Sequence, residues 1–403
     1  MNKLNELFSK FKYEFGIFTA LSLNFLILFT KEDIMSDILY PLHLVDVRIG
    51  LISRTLVGSI SGLLWEHPTE GNIVFLQTLV TVLSFFLIAV FLGGCIKNAK
   101  EESGKLLFML CLVVAVFPYG FMTYINLFEL MDIYWLLSAV LCLLAADGKK
   151  TAFLVPVLIF TGLWVHYSFL LAFMPLIYVL FFRKCLKEKS RYNYILTGVM
   201  VTVSVGATLY FMLTMRSIST MTFDEFLDYI IDKAGSPITN IERYVGIGFR
   251  SFNETNRLYK ITEISEDLPD IVKAFVGYFK MALKDTTLFA IICDLLLASP
   301  AVAFFEAIWA RAMKNTEDKK ERFLYLLCLI SPLVQLFACF TSSDTSRWLS
   351  DMIISCLLML ALFIKDRAAP VTNALTYVTD RLKAHKTPLL FALLIYLSIV
   401  FVW

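Results

Sequence analysis

Eleven stretches of roughly 15 to 24 residues in this chain are apolar almost throughout, and that alone removes most folds from consideration. They run over 14–30, 73–96, 106–124, 132–146, 151–165, 168–182, 194–214, 286–309, 323–340, 348–364 and 387–403. A bilayer-crossing helix wants about 20 such residues, because the hydrocarbon core is ~30 Å thick and a helix rises 1.5 Å per residue. Lipid offers the backbone no hydrogen-bond partner, so each segment has to satisfy its own amides, which a helix does. Composition agrees: 58% of the 403 residues are hydrophobic and 17% charged, far from the balance of a water-soluble domain. The expected fold class is all-α, a polytopic transmembrane helical protein of about 11 spans that forms a single integral membrane domain over 1–403.

Charge placement orients that bundle. Nearly two thirds of the 36 Lys and Arg fall in the N-terminus, 97–105, 147–150, 183–193, 310–322 and 365–386. Eleven crossings put these segments on one side, and cations near span ends stay cytoplasmic. The N-terminus is thus expected in the cytoplasm, with large first and fourth extracytoplasmic loops over 31–72 and 215–285. The first loop is amphipathic and should lie on the membrane as interfacial helix. Residues 14–30 follow Lys3, Lys10 and Lys12 as a signal peptide would, but no small-residue cleavage site precedes Lys31, so the segment reads as a retained span. The apolar run 151–182 has cations at both ends, Lys149 and Lys150 before it and Arg183, Lys184, Lys187, Lys189 and Arg191 after it, which requires an even number of crossings. Two short helices satisfy this and set the His166-Tyr167 turn below the outer surface, as the floor of an outward-facing cavity.

A net charge of +2 with no basic run among stacking aromatics argues against nucleic acid. The eight cysteines lie in apolar segments or basic loops and none lies in the two long loops, so neither a disulfide-stapled ectodomain nor a metal site is expected. No P-loop or internal repeat is visible, and no cofactor is expected.

Three constellations carry chemistry. The first is Asp46-Val47-Arg48 with Arg54, inside the first loop's YPLHLVDVRIGLISRTLVG. Charges in such apolar surroundings are costly unless paired or working. Asp46 suits a general base toward an acceptor hydroxyl, and Arg48 and Arg54 suit bidentate binding of phosphate; the plainer account is an Asp46/Arg48 or Asp46/Arg54 ion pair that fixes the loop. The second is His166, in Trp164-Val165-His166-Tyr167-Ser168, which suits phosphate binding as imidazolium or proton shuttling, or else is a turn histidine satisfied by carbonyls. The third is Asp344, Arg347 and Asp351, which share one helix face so that two carboxylates flank an arginine; Asp344 as a helix cap with Arg347 as its partner is the structural account. Asp132, near Glu129, lines the same cavity or anchors the interface. Asp294 and Glu306 lie inside an apolar stretch, where an ionisable group is a functional candidate. Asn253-Glu254-Thr255 has the form of a glycosylation triplet.

The long first outer loop with its acid, the cytoplasmic N-terminus and the number of spans resemble the membrane glycosyltransferases of the GT-C class. Asp46 stands alone here, where that class usually carries two adjacent acids. The resemblance implies a transferase that moves a sugar from a polyprenyl-phosphate-linked donor to a glycan or lipid acceptor on the extracytoplasmic side, in cell-surface polysaccharide assembly at a bacterial cell membrane. It implies Asp46 as a catalytic residue; the residues themselves add His166 as catalytic and Arg48, Arg54, Asp344, Arg347 and Asp351 as substrate-binding. Polysaccharide polymerases of the O-antigen type look similar and use outer-loop arginines. A lipid-linked glycan transporter or flippase is a further alternative, although inverted repeats and midplane charges are not visible.

Overall fold

The computed structural model describes residues 6, 9–30, 34–35, 39–148, 150–214, 222–238, 240–242, 245, 286–339 and 345–386. Among them all regular structure is helical. The last apolar stretch, most of the fourth loop with its 253–255 triplet, and Asp344 lie outside the described residues.

Five helices are long and apolar enough to cross a membrane, consistent with an integral membrane protein: Glu70–Asn98, Arg191–Phe211, Leu288–Lys314, Lys319–Cys339 and Thr345–Lys365. The other described apolar stretches form shorter helices, and local chemistry explains three of the breaks. The helix Glu101–Val116 stops before Phe117-Pro118, where proline disfavours the helical conformation of the residue preceding it. The stretch 168–182 divides into Phe169–Ala172 and Met174–Glu188, with Pro175 in the first turn of the second piece. Lys12–Leu23 tightens into a 3-10 helix over Asn24–Thr30, and Asn24 donates to the Ala115 carbonyl at 2.7 Å.

The molecule is organised about the helix Thr345–Lys365. In chain order α1 is Lys12–Leu23, α2 Thr55–Leu64, α3 Glu70–Asn98, α4 Glu101–Val116, α5 Met122–Asn126, α6 Asp132–Asp147, α7 Val155–Val165, α8 Phe169–Ala172, α9 Met174–Glu188, α10 Arg191–Thr214, α11 Phe223–Lys233, α12 Thr286–Lys314, α13 Lys319–Ile330, α14 Val334–Cys339, α15 Thr345–Lys365 and α16 Ala369–Ala384. Every residue of α15 from Trp348 to Ile364 is buried, as expected of a helix apolar on all sides. Its two interior serines are satisfied by carbonyls: Ser350 donates to Gly120 and Ser355 to Ala172. From Arg347 near the start of α15 to Asp366 just past its end, nineteen residues of rise separate two charged poles by about 28 Å.

At one pole, the basic end, Lys365 pairs with Asp147 at 2.5 Å, Arg183 and Lys187 share Asp366, and Arg367 donates to the Asn98 carbonyl at 2.9 Å. The opposite pole, the loop end, carries the first loop. That loop is not a flat interfacial helix. It makes two 3-10 turns, Tyr40–Leu44 and Val47–Ile49, and then α2, which leaves Leu63 and Leu64 at 86% and 57% exposure while its N-terminus docks on the bundle. The first loop and α11 share a small core of Met35, Tyr40, Leu44, Val45, Ile52, Ile73, Phe226, Ile230 and Val245.

Candidate functional site

Asp46 sits where the first loop meets α11. Its side chain caps the Val47–Ile49 turn by accepting from the Arg48 amide at 2.8 Å. The same carboxylate takes Arg48 Nη2 at 3.0 Å and Lys233 Nζ at 2.5 Å, with Asp46 and Lys233 only 6% and 5% exposed. The Asp46 amide donates to Tyr229 Oη at 3.0 Å, and Tyr229 donates onward to the Leu44 carbonyl at 3.3 Å. Burial raises the Tyr229 phenol, so it remains a protonated donor. Helix α2 closes tightly on this knot: a Cβ on Gly58 would lie 2.0 Å from the Val45 carbonyl oxygen. Of the two ion pairs the sequence leaves open for Asp46, the Arg48 pair is present. Lys233 is a partner that sequence reasoning missed. The Thr222/Glu225 capping box marks α11 as a helix, but nothing in 222–233 points to an acid 187 residues upstream.

Arg54 belongs to a second cluster. It precedes α2 with φ 76°, a left-handed conformation that favours glycine, and its amide donates to the Trp164 carbonyl at 2.8 Å. Ser53 Oγ accepts from the Tyr167 amide and Trp164 Nε1 donates to Thr55 Oγ1, which clamps the start of α2 onto the turn after α7. The clamp aims Arg54 Nη2 at His166 Nε2, 2.7 Å away. Asp46 lies beside Gly62, near the other end of α2, so eight residues of helix, about 12 Å of rise, stand between the acid and Arg54.

His166 is the pivot of the second cluster. Its Nδ1 accepts from the Ser168 amide at 3.0 Å, which leaves the ring proton on Nε2, facing a guanidinium that carries donors and no acceptor. Both ring nitrogens thus face donors, and among the described residues the imidazole has no acceptor for its one proton. Burial, and then the charges of Arg54 and Arg347, push its pKa well below the ordinary value, so the ring is neutral here rather than an imidazolium.

Arg347 closes the cluster from α15. Its guanidinium lies 5.7 Å and 5.4 Å from the ring centres of Trp135 and Trp348, and Trp135 meets His166 edge-on at 5.7 Å. The acid beside it is Asp132, both of whose oxygens are 3.4 Å from Arg347 Nη1. Asp351, fully buried one turn further along α15, accepts from Tyr124 Oη at 2.5 Å. Asp132 and Tyr124 reach the site because the chain between α4 and α6 is packed inside the protein, held by Gln77, which donates to the Phe128 and Leu130 carbonyls at 2.7 Å and 2.6 Å.

The structure therefore brings Arg54, His166, Arg347 and Asp351 to one place and sets Asp46 and Arg48 apart from them. Trp135 and Tyr124 were missed as ordinary apolar-segment aromatics. The sequence signal for Asp132 was its place at the start of an apolar stretch. Asp294, further along α12, accepts from Tyr119 Oη at 2.7 Å. Comparison with protein families, with curated proteins and with solved structures returns no match.

Proposed function

We propose that the chain is an integral membrane glycosyltransferase that receives the phosphate of a polyprenyl-phosphate-linked sugar donor between Arg54, His166 and Arg347. The observation that carries this reading is the His166 ring, whose two nitrogens both face donors while two arginines flank it. A phosphate oxygen beside Nε2 resolves the donor-against-donor contact, and arginine is the side chain best shaped to grip it. Trp135 and Trp348, both buried, keep water from the arginines.

In this reading the acceptor hydroxyl loses its proton to a carboxylate while its oxygen bonds to the anomeric carbon. The bond from that carbon to the phosphate oxygen breaks, and its electron pair leaves on polyprenyl phosphate, held by the arginines. Attack opposite the leaving group inverts the anomeric configuration. We assign the base to Asp132. It lies beside Arg347, in the cluster that holds His166, whereas Asp46 stands apart from that cluster and accepts Arg48 and Lys233. Asp46 then acts as a positioning residue that locks the first loop onto α11. The eleven-span topology with a cytoplasmic N-terminus belongs to the same proposal and puts the loop end outside. An O-antigen-type polymerase runs the same chemistry with a glycan chain as one of its substrates.

Two measurements test this. Purified protein in neutral detergent is titrated with undecaprenyl phosphate: wild type should bind, and Arg347→Lys, which keeps the charge but loses the planar fork, should bind about tenfold more weakly. Equal affinity would remove the phosphate site. An impermeant thiol reagent should label a cysteine at exposed Glu66 in intact cells and one at exposed Asn315 only after permeabilisation; the reverse pattern would end the extracytoplasmic assignment.

A further inference from the structure

At the basic end, a cavity of about 550 Å³ opens between the end of α9, the start of α13 and the turn into α16. Its cationic lining is Arg183, Lys187, Lys189, Lys319 and Lys320; its acids are Asp318 and Glu321. Asp318 is already engaged, since it caps α13 by accepting from the Lys320 amide at 2.7 Å. Asp366, in the smaller cavity of about 130 Å³ next door, serves both Arg183 and Lys187. Cations therefore outnumber the carboxylates that face them.

Arg183 is the built part of the site. Its side chain is 6% exposed, it lines both cavities, and its guanidinium stacks 4.5 Å from the Phe363 ring centre. Its Nε is buried and has no hydrogen-bond partner among the described residues. A buried guanidinium with one donor left over, on a residue that lines the cavity, is arranged for one more acceptor. Lys187, half exposed at the rim, shares the Asp366 carboxylate with Arg183, so the two cations meet a single acid. Lys189 holds its place at φ 43°, a conformation that favours glycine or asparagine at a helix end. Leu186, Leu324 and Tyr325 form an apolar floor.

We propose that this cavity is a binding site for a phosphate-bearing anion, gripped by Arg183 at its base and by Lys187, Lys319 and Lys320 at its rim. The chemistry recognised is a phosphomonoester or pyrophosphate group, carried by a lipid headgroup or by a free phosphate compound. The site is independent of the reaction proposed for the opposite pole and stands or falls without it.

The test uses full-length protein in neutral detergent and two probes, inorganic pyrophosphate and phosphatidic acid, each measured by thermal shift and by native mass spectrometry at low salt. The variant Lys187→Gln/Lys319→Gln/Lys320→Gln alters only exposed or half-exposed side chains and should fold as wild type does. Arg183→Lys keeps the charge next to Asp366 while losing the fork. Wild type is expected to bind at least one probe about tenfold more tightly than either variant, the effect falling with salt. Binding of pyrophosphate identifies a soluble phosphate compound; retention of phosphatidic acid without pyrophosphate binding identifies a lipid headgroup. If wild type binds neither probe, or binds no better than the triple variant, the proposal is overturned.

Discussion

The two poles of α15 hold their charges in opposite ways. At the loop end the two arginines of the proposed site are held within a cluster of aromatic rings: Arg347 beside Asp132 and between two tryptophans, and Arg54 against His166. At the basic end the charges are shared, with two cations on Asp366 and three more around a cavity, and of these five only Arg183 is buried. Charges removed from water interact strongly and hold fixed geometry, which suits chemistry on a developing charge. Charges at a solvated rim attract anions but reorganise easily, which suits binding. The contrast leads us to place the reaction at the loop end and recognition alone at the basic end.

The sharpest way to break that division is to remove Arg54 without harming the fold. Arg54→Gly suits φ 76°, which costs an L-residue ~1–2 kcal/mol, so thermal stability should hold or rise. Glycan product in cells, normalised to membrane protein level, should fall on the order of 10²- to 10³-fold, the loss expected for one donor to a developing anion. The triple lysine variant at the basic end should leave product within a few-fold of wild type. Equal losses at both ends would merge the poles into one functional unit.

A second measurement sets Asp132 against Asp46. Asp132→Asn keeps the shape but removes basicity, and should lower product per folded protein on the order of 10²-fold or more, beyond whatever stability is lost by leaving the partly buried Arg347 without this counter-charge. Asp46→Asn leaves Lys233 buried without its counter-charge, which should cost about 3 kcal/mol and lower the melting temperature, while product falls only as far as folded protein does. Asp46→Asn/Lys233→Met should recover much of that stability. If Asp46→Asn instead keeps its stability and loses product, the base is Asp46.

Much of this layout is legible in the residues. The all-helical fold and the helix-turn-helix about His166 follow from apolar runs and their flanking cations, because burial periodicity and turn chemistry are local. The face shared by Arg347 and Asp351 follows from helix geometry. What a single chain does not display is which partner lies across space. Asp132 approaches Arg347 from 215 positions away, and Lys233 reaches Asp46 from 187. These pairings depend on how the chain between α4 and α6 packs inside the protein and on α11 docking against the first loop, and no spacing rule encodes either. The sequence grouping of Asp46 with Arg54 missed for a related reason: eight residues of α2 intervene, and proximity in the chain became about 12 Å of separation.

The smallest expected effect tests whether His166 is enclosed as the contrast between the poles requires. Its folded pKa lies well below the ordinary value of about 6.5 that the unfolded chain retains, first through burial and then through Arg54 and Arg347. Between those two values the unfolded chain binds a proton that the folded protein refuses, so stability rises with pH there. The contribution is full above about pH 6.5 and is lost as pH falls below it. Melting temperature should therefore drop on going from neutral to mildly acidic buffer, and His166→Gln should drop less. His43, which burial also holds neutral while it donates to the Glu129 carbonyl at 2.8 Å, titrates in the same direction in both proteins, so the difference between the two slopes isolates His166. Undecaprenyl phosphate should shrink that difference, because an anion between the arginines favours the imidazolium. If wild type and His166→Gln show the same slope with and without the lipid, His166 is open to water, and the enclosed character that sets the loop end apart from the basic end is lost.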